Sequence, residues 1–194
     1  MNPVCCNRST GFTLIELVMV IVILGVLAAF ALPKFASLEN GARILLLQSF
    51  KGIIQPAADI ANAEIMLRPQ NKSTNQTRYD FDNGDQIRIR ADYPDGRWNN
   101  TFAILVDWAG YDIGQVSNNN CTDADFEWCV RQRGLNWFVN RGYTSASAGR
   151  GFVIFPRGNN LNNDECYVYY FTPNPSGVVT IKNKPVTGIV TTDC

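Results

Sequence analysis

The stretch that decides the fold is Gly11-Phe12-Thr13-Leu14-Ile15-Glu16, which opens a run of apolar residues that continues to Leu32. Glu16 is the only charged residue between Phe12 and Leu32. These 21 residues, as a helix rising about 1.5 Å per residue, would extend roughly 31 Å, which is enough to cross the hydrocarbon core of a bilayer. A carboxylate in such a helix costs about 2.5–3.5 kcal/mol at full depth. The sequence therefore predicts a membrane helix in which Glu16 needs a partner or a purpose.

The length and the flanks of this run distinguish it from a secretory signal. A signal peptide has a shorter apolar region that ends at a small-residue cleavage site, whereas Pro33-Lys34-Phe35 closes this run without one. Arg8 is the only charged side chain before the run, and together with the terminal amine it favours a cytoplasmic N-terminus. A plain membrane anchor with an incidental glutamate is the alternative that the physical reasoning leaves open.

The segment Gly11-Phe12-Thr13-Leu14-Ile15-Glu16-Leu17 resembles the processing site of type IV prepilins and type II secretion pseudopilins. The resemblance implies that a prepilin peptidase cuts between Gly11 and Phe12 and methylates the new amine of Phe12. Residues 1–11 would then be a cleaved leader. Glu16 would pair during assembly with the Phe12 amine of a neighbouring subunit, which would make a buried carboxylate tolerable.

Two residues further along the run are helix-weakening by their chemistry. Gly25 costs about 1 kcal/mol relative to alanine, and Pro33 removes a backbone hydrogen bond. Both stand where pilins often carry such residues, and the resemblance implies local unwinding between them in an assembled filament. A simple kink is an equally good interpretation.

Composition limits the kinds of function that this chain can have. The formal net charge of the 194 residues is zero, and the chain contains no histidine. The absence of histidine removes Ser-His and Cys-His nucleophile pairs and most catalytic zinc sites. We therefore expect neither an enzyme nor a cofactor or metal.

Six cysteines fall into two groups. Cys5 and Cys6 lie in the expected leader, whereas Cys121, Cys129, Cys166 and Cys194 lie beyond the membrane run. Four cysteines in an exported domain predict two disulfides, for which three pairings exist. We favour Cys121–Cys129, which closes a short polar loop, and Cys166–Cys194, which ties the last residue to a strand. The second pair is similar to the C-terminal disulfide loop of type IV pilins.

The chain after Pro33 predicts an amphipathic continuation of the helix over residues 34–68, ended by Arg68-Pro69. The predicted apolar stripe steps mostly by threes and fours and consists of Phe35, Leu38, Ala42, Leu45, Ser49, Ile53, Ile60, Ala63 and Leu67. Residues 12–33 would form the membrane and assembly half of the helix. Residues 69–194 would form a β-rich head.

Alternation and turn signals predict the elements of the head. Strands are predicted at Gln86–Arg90, Phe102–Val106, Gly151–Phe155, Cys166–Thr172, Val178–Ile181 and Val186–Thr191. A helix is predicted from Thr122 or Asp123 to about Asn140. Asp80-Phe81-Asp82-Asn83-Gly84-Asp85 predicts a turn in preference to a calcium loop, because its spacing is not that of an EF-hand.

Two sets of side chains have both a functional and a structural interpretation. Arg131, Arg133, Arg141, Arg150 and Arg157 are either a DNA-contacting patch or, as we favour, a solvated face. The four tryptophans, Trp98, Trp108, Trp128 and Trp137, either present a sugar-stacking surface or, as we favour, pack in the core.

Together these patterns predict an α+β protein with the type IV pilin fold, in which a long N-terminal helix packs on an antiparallel sheet. The resemblance implies a homo-oligomeric filament of pilin subunits, which are first held in the inner membrane and then assembled by pilus machinery for adhesion or motility. Chain length, the Cys166-Tyr167-Val168-Tyr169-Tyr170 strand and Cys194 look most like the mannose-sensitive haemagglutinin branch. A host or surface ligand is a candidate partner, and nucleic acid is not expected. The alternatives are a secretion pseudopilin, a minor pilin, or a membrane-anchored protein that binds DNA or another ligand.

Overall fold

In the residues that the structure describes, a 54-residue helix, α1 (Leu14–Leu67), is followed by the strands of two sheets and by several short helical segments. The computed structural model describes residues 13–73, 77–122, 125–174 and 184–194. By its contacts the chain divides into two units, Met1–Ala42 and Arg43–Cys194, and helix α1 has residues in both. The predicted strand Val178–Ile181 lies outside the described residues.

The strands of the second unit form two sheets. The first contains β1 (Arg78–Asp80), β2 (Gln86–Arg90) and β3 (Tyr93–Pro94), in that order and antiparallel. The second has the order β4-β5-β6-β7-β8, and it consists of β4 (Ile113–Gln115), β5 (Trp128–Gly134), β6 (Gly149–Pro156), β7 (Cys166–Pro173) and β8 (Val186–Thr191). Neighbouring strands within this sheet are antiparallel, except for β4 and β5, which are parallel. The predicted α+β class with a helix and an antiparallel sheet is confirmed.

One face of the five-stranded sheet packs against the C-terminal half of α1. The buried residues of the helix recur by threes and fours, and they are Leu47, Phe50, Ile54, Ala58, Ala61 and Ile65. The first four share a cluster with alternate residues of the sheet, among them Trp128, Val130, Phe152 and Tyr170. Ile65 instead packs with Tyr79, Ile87 and Ile89 of the three-stranded sheet. The helix is therefore held to both sheets within the second unit.

The predicted stripe of α1 is wrong in its choice of face. It includes Leu45, Ile60 and Leu67, yet these side chains are 64%, 68% and 81% exposed. Residues 44–47 are four consecutive apolar residues, so spacing alone fits more than one face of the helix. The buried face is the one that carries Phe50, whose ring lies edge-on to those of Trp128 and Tyr111.

The opposite face of the five-stranded sheet is also covered, by helix α3 (Leu135–Val139) and the loops beside it. Its buried cluster contains the other set of alternating residues, among them Val153, Phe155 and Tyr167, together with Phe138 of α3. Because both faces are buried, β7 carries eight consecutive buried residues instead of an alternating pattern.

Two predicted elements are wrong. The predicted helix from Thr122 or Asp123 to about Asn140 is replaced by β5 and the short α3. The predicted strand Phe102–Val106 is helical, with a π-turn at Trp98–Phe102 and helix α2 at Ala103–Leu105. In both places tertiary contacts override the local pattern, since β5 pairs with β6 and Phe102 packs against the rings of Tyr170 and Phe152.

Two disulfides hold the head, and they are the pairs favoured from the sequence. Cys121 bonds to Cys129 at the start of β5, and Cys166 at the start of β7 bonds to Cys194. The second closes a loop with a sequence separation of 28 residues. A loop of that length contributes roughly 3–4 kcal/mol by restricting the unfolded chain.

The turn between β2 and β3 contains two left-handed residues that are not glycine. Ala91 has a φ of 47° and Asp92 a φ of 64°, as in the two-residue turns that favour Asn-Gly. Asp92 is fixed by an ion pair with Lys72 and by Asn62, which donates to its carbonyl oxygen. Ala91 therefore bears the strain without a compensating side-chain contact of this kind.

Ala91→Asn is expected to stabilise the protein by about 0.5–1 kcal/mol, because asparagine tolerates the left-handed conformation better than alanine. Urea unfolding of the full chain in non-ionic detergent measures the change. Ala109→Asn, a substitution at an exposed position elsewhere in the head, is the control and should change stability by less than half as much. A loss of stability in Ala91→Asn would contradict this account of the turn.

Candidate functional site

The first residues of α1 form a reciprocal cap around Glu16. The Glu16 backbone N–H donates to Thr13 Oγ1 at 3.4 Å, and the Thr13 backbone N–H donates to Glu16 Oε2 at 3.4 Å. The Thr13 hydroxyl also donates to the same carboxylate oxygen, at 3.3 Å. This is the capping-box arrangement, in which a threonine and a glutamate three residues later satisfy each other's free backbone donors. Sequence reasoning missed it, although Thr13-Leu14-Ile15-Glu16 carries its signature.

The helix that follows this cap presents apolar side chains on all sides. The window Leu14–Ala31 is long and apolar enough to cross a membrane, and none of it is buried within the chain. Large side chains around the whole circumference are exposed, for example Leu14 at 81% and Phe30 at 73%. A helix that is apolar all round needs a lipid or protein environment to cover it. The predicted apolar helix is thus present and long enough to cross a membrane, with Glu16 in its first turn.

Four more residues of the N-terminal segment have a predicted role, namely Gly11, Phe12, Gly25 and Pro33. Gly11 and Phe12, the expected processing pair, lie outside the described residues. Gly25 and Pro33 both lie within α1, which is helical at these positions. Among the residues that the structure describes, no atom outside the local helix comes within 4 Å of a Cβ placed on Gly25. The weakening role of the two residues stays a prediction.

The five arginines considered as one patch lie in three separate environments. Arg157 pairs with Glu127, and Arg150 lies beside Arg97. Arg131, Arg133 and Arg141 gather near Trp137, with the guanidinium of Arg141 4.1 Å from the ring centre and that of Arg133 5.5 Å away. Burial and the charges of Arg131 and Arg141 lower the pKa of Arg133 to about 10. The arginines therefore do not form a continuous track of the kind that follows a nucleic-acid backbone.

The acidic stretch at residues 80–85 forms the turn between β1 and β2. The Phe81 N–H donates to the Asp85 carbonyl oxygen, and Gly84 adopts a φ of 90°. Asp82 pairs with Arg68, and Asp80 accepts a hydrogen bond from Gln86. The carboxylates are thus engaged in local contacts that fix the turn.

The tryptophans contribute mainly to packing. Trp98 and Trp128 are buried, and Trp108 packs against the same cluster while it donates from Nε1 to the Phe102 carbonyl oxygen. Trp137 is half-buried against Tyr167 and Phe138. These contacts match the core interpretation of the four side chains.

Comparison with known proteins agrees with the N-terminal geometry. The family model of the prokaryotic N-terminal methylation motif matches residues 6–32. The type IV narrow pilus major component PilA5 of Thermus thermophilus is 40% identical over 57 residues, which are 29% of this chain. The match covers 49% of that protein, so this chain spans about half the length of the curated relative it matches. No solved structure matches the chain.

The N-terminal segment therefore combines a match to the methylation motif with a helix that is long and apolar enough to cross a membrane. The chain is thus similar to a type IV pilin over 57 residues, and residues 6–32 match the N-terminal methylation motif.

Proposed function

We propose that this chain is a structural subunit of a type IV pilus. Prepilin peptidase would remove residues 1–11 and methylate Phe12, and the mature subunit would wait in the inner membrane as a single-pass protein. Polymerisation through α1 would then carry it into a surface filament that serves adhesion or motility. The likeness to mannose-sensitive haemagglutinin pilins stays a prediction within this proposal.

The observation that carries the proposal is the exposed apolar segment Leu14–Ala31 with one carboxylate near its start. Lipid can cover such a segment in the precursor, but outside the membrane only other apolar helices can do so. Glu16 adds specificity, because a carboxylate among packed helices is tolerated only beside a positive group. The Phe12 amine of a neighbouring subunit, freed by peptidase, would provide that group.

A second observation supports the same role. The C-terminal half of α1 has one apolar face on the sheets and leaves further large apolar side chains exposed, namely Leu45, Ile60, Met66 and Leu67. The last two of these are 66% and 81% exposed. This half of the helix is therefore apolar on more than the face that packs on the sheets. The exposed apolar side chains form a surface on which other copies of the same helix could pack.

Mass analysis of filaments sheared from cells tests the proposal directly. The subunit is expected to begin at Phe12, to carry one methyl group on its amine, and to retain the Cys121–Cys129 and Cys166–Cys194 disulfides. Recovery of filaments whose subunits retain residues 1–11 would contradict the processing step. Cells that accumulate the processed protein only in membranes, without sheared filaments, would contradict the pilus and favour a pseudopilin or a plain anchor.

A further inference from the structure

The three-stranded sheet carries an arginine-rich surface that filament assembly does not explain. Alternation along β2 directs Ile87 and Ile89 into the core and leaves Arg88 and Arg90 half-buried on the other face. Arg78 of β1 lies directly opposite Arg88 in the antiparallel register. Like charges directly opposite one another destabilise a sheet, so this pair requires an explanation.

Two more arginines join this surface from outside the sheet. Arg97 follows β3, and Arg150 belongs to β6; Arg150 lies close enough to Arg97 to lower the pKa of Arg97. Gly96 permits the approach, because a Cβ at this position would fall on the carbonyl oxygen of Arg150. The arginine cluster, defined as Arg78, Arg88, Arg90, Arg97 and Arg150, thus combines residues from both sheets.

The described carboxylate of this cluster is that of Asp95, which is 1% exposed. Arg90 Nε donates to Asp95 Oδ1 at 3.0 Å, and Arg97 Nε lies 3.3 Å from Asp95 Oδ2. Asp95 is thus the carboxylate that contacts Arg90 and Arg97, whereas Arg78 donates to Gln86, which in turn donates to Asp80. Burial, together with Arg97 and Arg78, lowers the pKa of Arg88, and burial together with Arg150 lowers the pKa of Arg97. The local positive charge is only partly compensated.

An open cavity of about 400 Å³ lies at this surface. Arg88 and Arg90 line it together with Asp95, and Thr77 and Asn174 contribute to its wall. Arginine is suited to such a place because its planar guanidinium binds the oxygens of phosphate or carboxylate in pairs. A single carboxylate would offset one positive charge, whereas a phosphate dianion would offset two.

We propose that the arginine cluster and its cavity form a binding site for a phosphate-type oxyanion, either inorganic phosphate or a phosphate monoester, with Arg88 as its principal ligand. Arg88 lines the cavity and lies opposite a like charge, so it gains most from a bound anion. Arg90 forms the adjacent wall of the cavity, and its hydrogen bond to Asp95 holds its guanidinium in place.

Isothermal titration calorimetry of the full chain in a non-ionic detergent at pH 8 and constant ionic strength tests the site. Inorganic phosphate is expected to bind saturably with one site per chain, and Arg88→Gln to weaken binding at least tenfold. Arg157→Gln is the matched control, because Arg157 pairs with Glu127 away from the cavity. The affinity of this variant for phosphate should stay within twofold of that of the unchanged protein. Methyl phosphate in place of phosphate distinguishes the two sources of the anion: binding at least as tight as that of phosphate indicates a monoester, and weaker binding indicates free phosphate.

The proposal is overturned if phosphate produces no saturable heat, or if Arg88→Gln binds phosphate as tightly as the unchanged protein. If Arg88→Gln does not fold, the melting temperature of the unchanged protein is the test of the site. Phosphate should then raise its melting temperature more than chloride at equal ionic strength, and equal shifts in the two salts reject the site.

Discussion

Glu16→Gln is expected to abolish surface filaments, with at least a hundredfold fewer than in cells that make the unchanged protein. In the proposed filament the Glu16 carboxylate pairs with the Phe12 amine of a neighbouring subunit. Removing one member of a buried ion pair costs about 3–5 kcal/mol, because the other charge is left without compensation. Electron microscopy of sheared material and immunoblotting of the same fraction measure the loss. The variant should still be recovered in membranes, since it adds no charge to the helix.

The local geometry of Glu16 makes glutamine the informative replacement. A glutamine can take the place of glutamate in a capping box, so Glu16→Gln retains the cap with Thr13 while it removes the charge. Thr13→Ala is the matched control, because it removes the cap and keeps the carboxylate. We expect Thr13→Ala to assemble filaments at no less than a third of the normal amount. Normal filaments from Glu16→Gln, or their loss only in Thr13→Ala, would mean that Glu16 acts through the cap and would refute the ion pair.

Phe50→Ala is expected to lower the free energy of unfolding of the head by about 3–5 kcal/mol. The Phe50 side chain is fully buried, and its ring lies 4.9 Å from that of Trp128 and 5.0 Å from that of Tyr111. The substitution removes aromatic contacts and leaves a cavity between the helix and the sheet. Urea unfolding of the full chain in non-ionic detergent, followed by tryptophan fluorescence, measures the change.

Leu45→Ala is the control for Phe50→Ala, because Leu45 lies on the same helix and is 64% exposed. It should change the free energy of unfolding by less than about 0.5 kcal/mol, as is usual for surface positions. Equal losses in the two variants would show that the buried face of α1 is not the one that carries Phe50. The predicted stripe that contained Leu45 would then regain support.

The sequence predicted best where one physical requirement dominates a long segment. An apolar run from Phe12 to Leu32 with Glu16 as its only charged residue admits few structures other than a membrane helix, and the residues at its start carry the methylation motif. The strands at Cys166–Pro173 and Val186–Thr191 were also recognisable, because β-branched and aromatic residues are concentrated there.

The sequence failed at β5, where burial on two sides removes the periodic signal. In β5 both Val130 and Cys129 are buried, one against helix α1 and the other in the cluster beneath α3. Without alternation between buried and exposed residues, the pattern of this segment fits a helix as well as a strand. The arginine cluster was missed for another reason, since its members come from three strands and a loop and meet only in the folded head.

By itself the sequence determined the membrane helix, the unusual position of Glu16 and the presence of a β-rich head with two candidate disulfides. These depend on hydrophobic length, on charge and on residue chemistry, all of which are local properties of the chain. Tertiary structure decided which face of α1 is buried, how β5 pairs, and that Arg78, Arg88 and Arg97 come together. Those outcomes depend on long-range packing, in which a large buried ring such as that of Phe50 outweighs the local pattern around it.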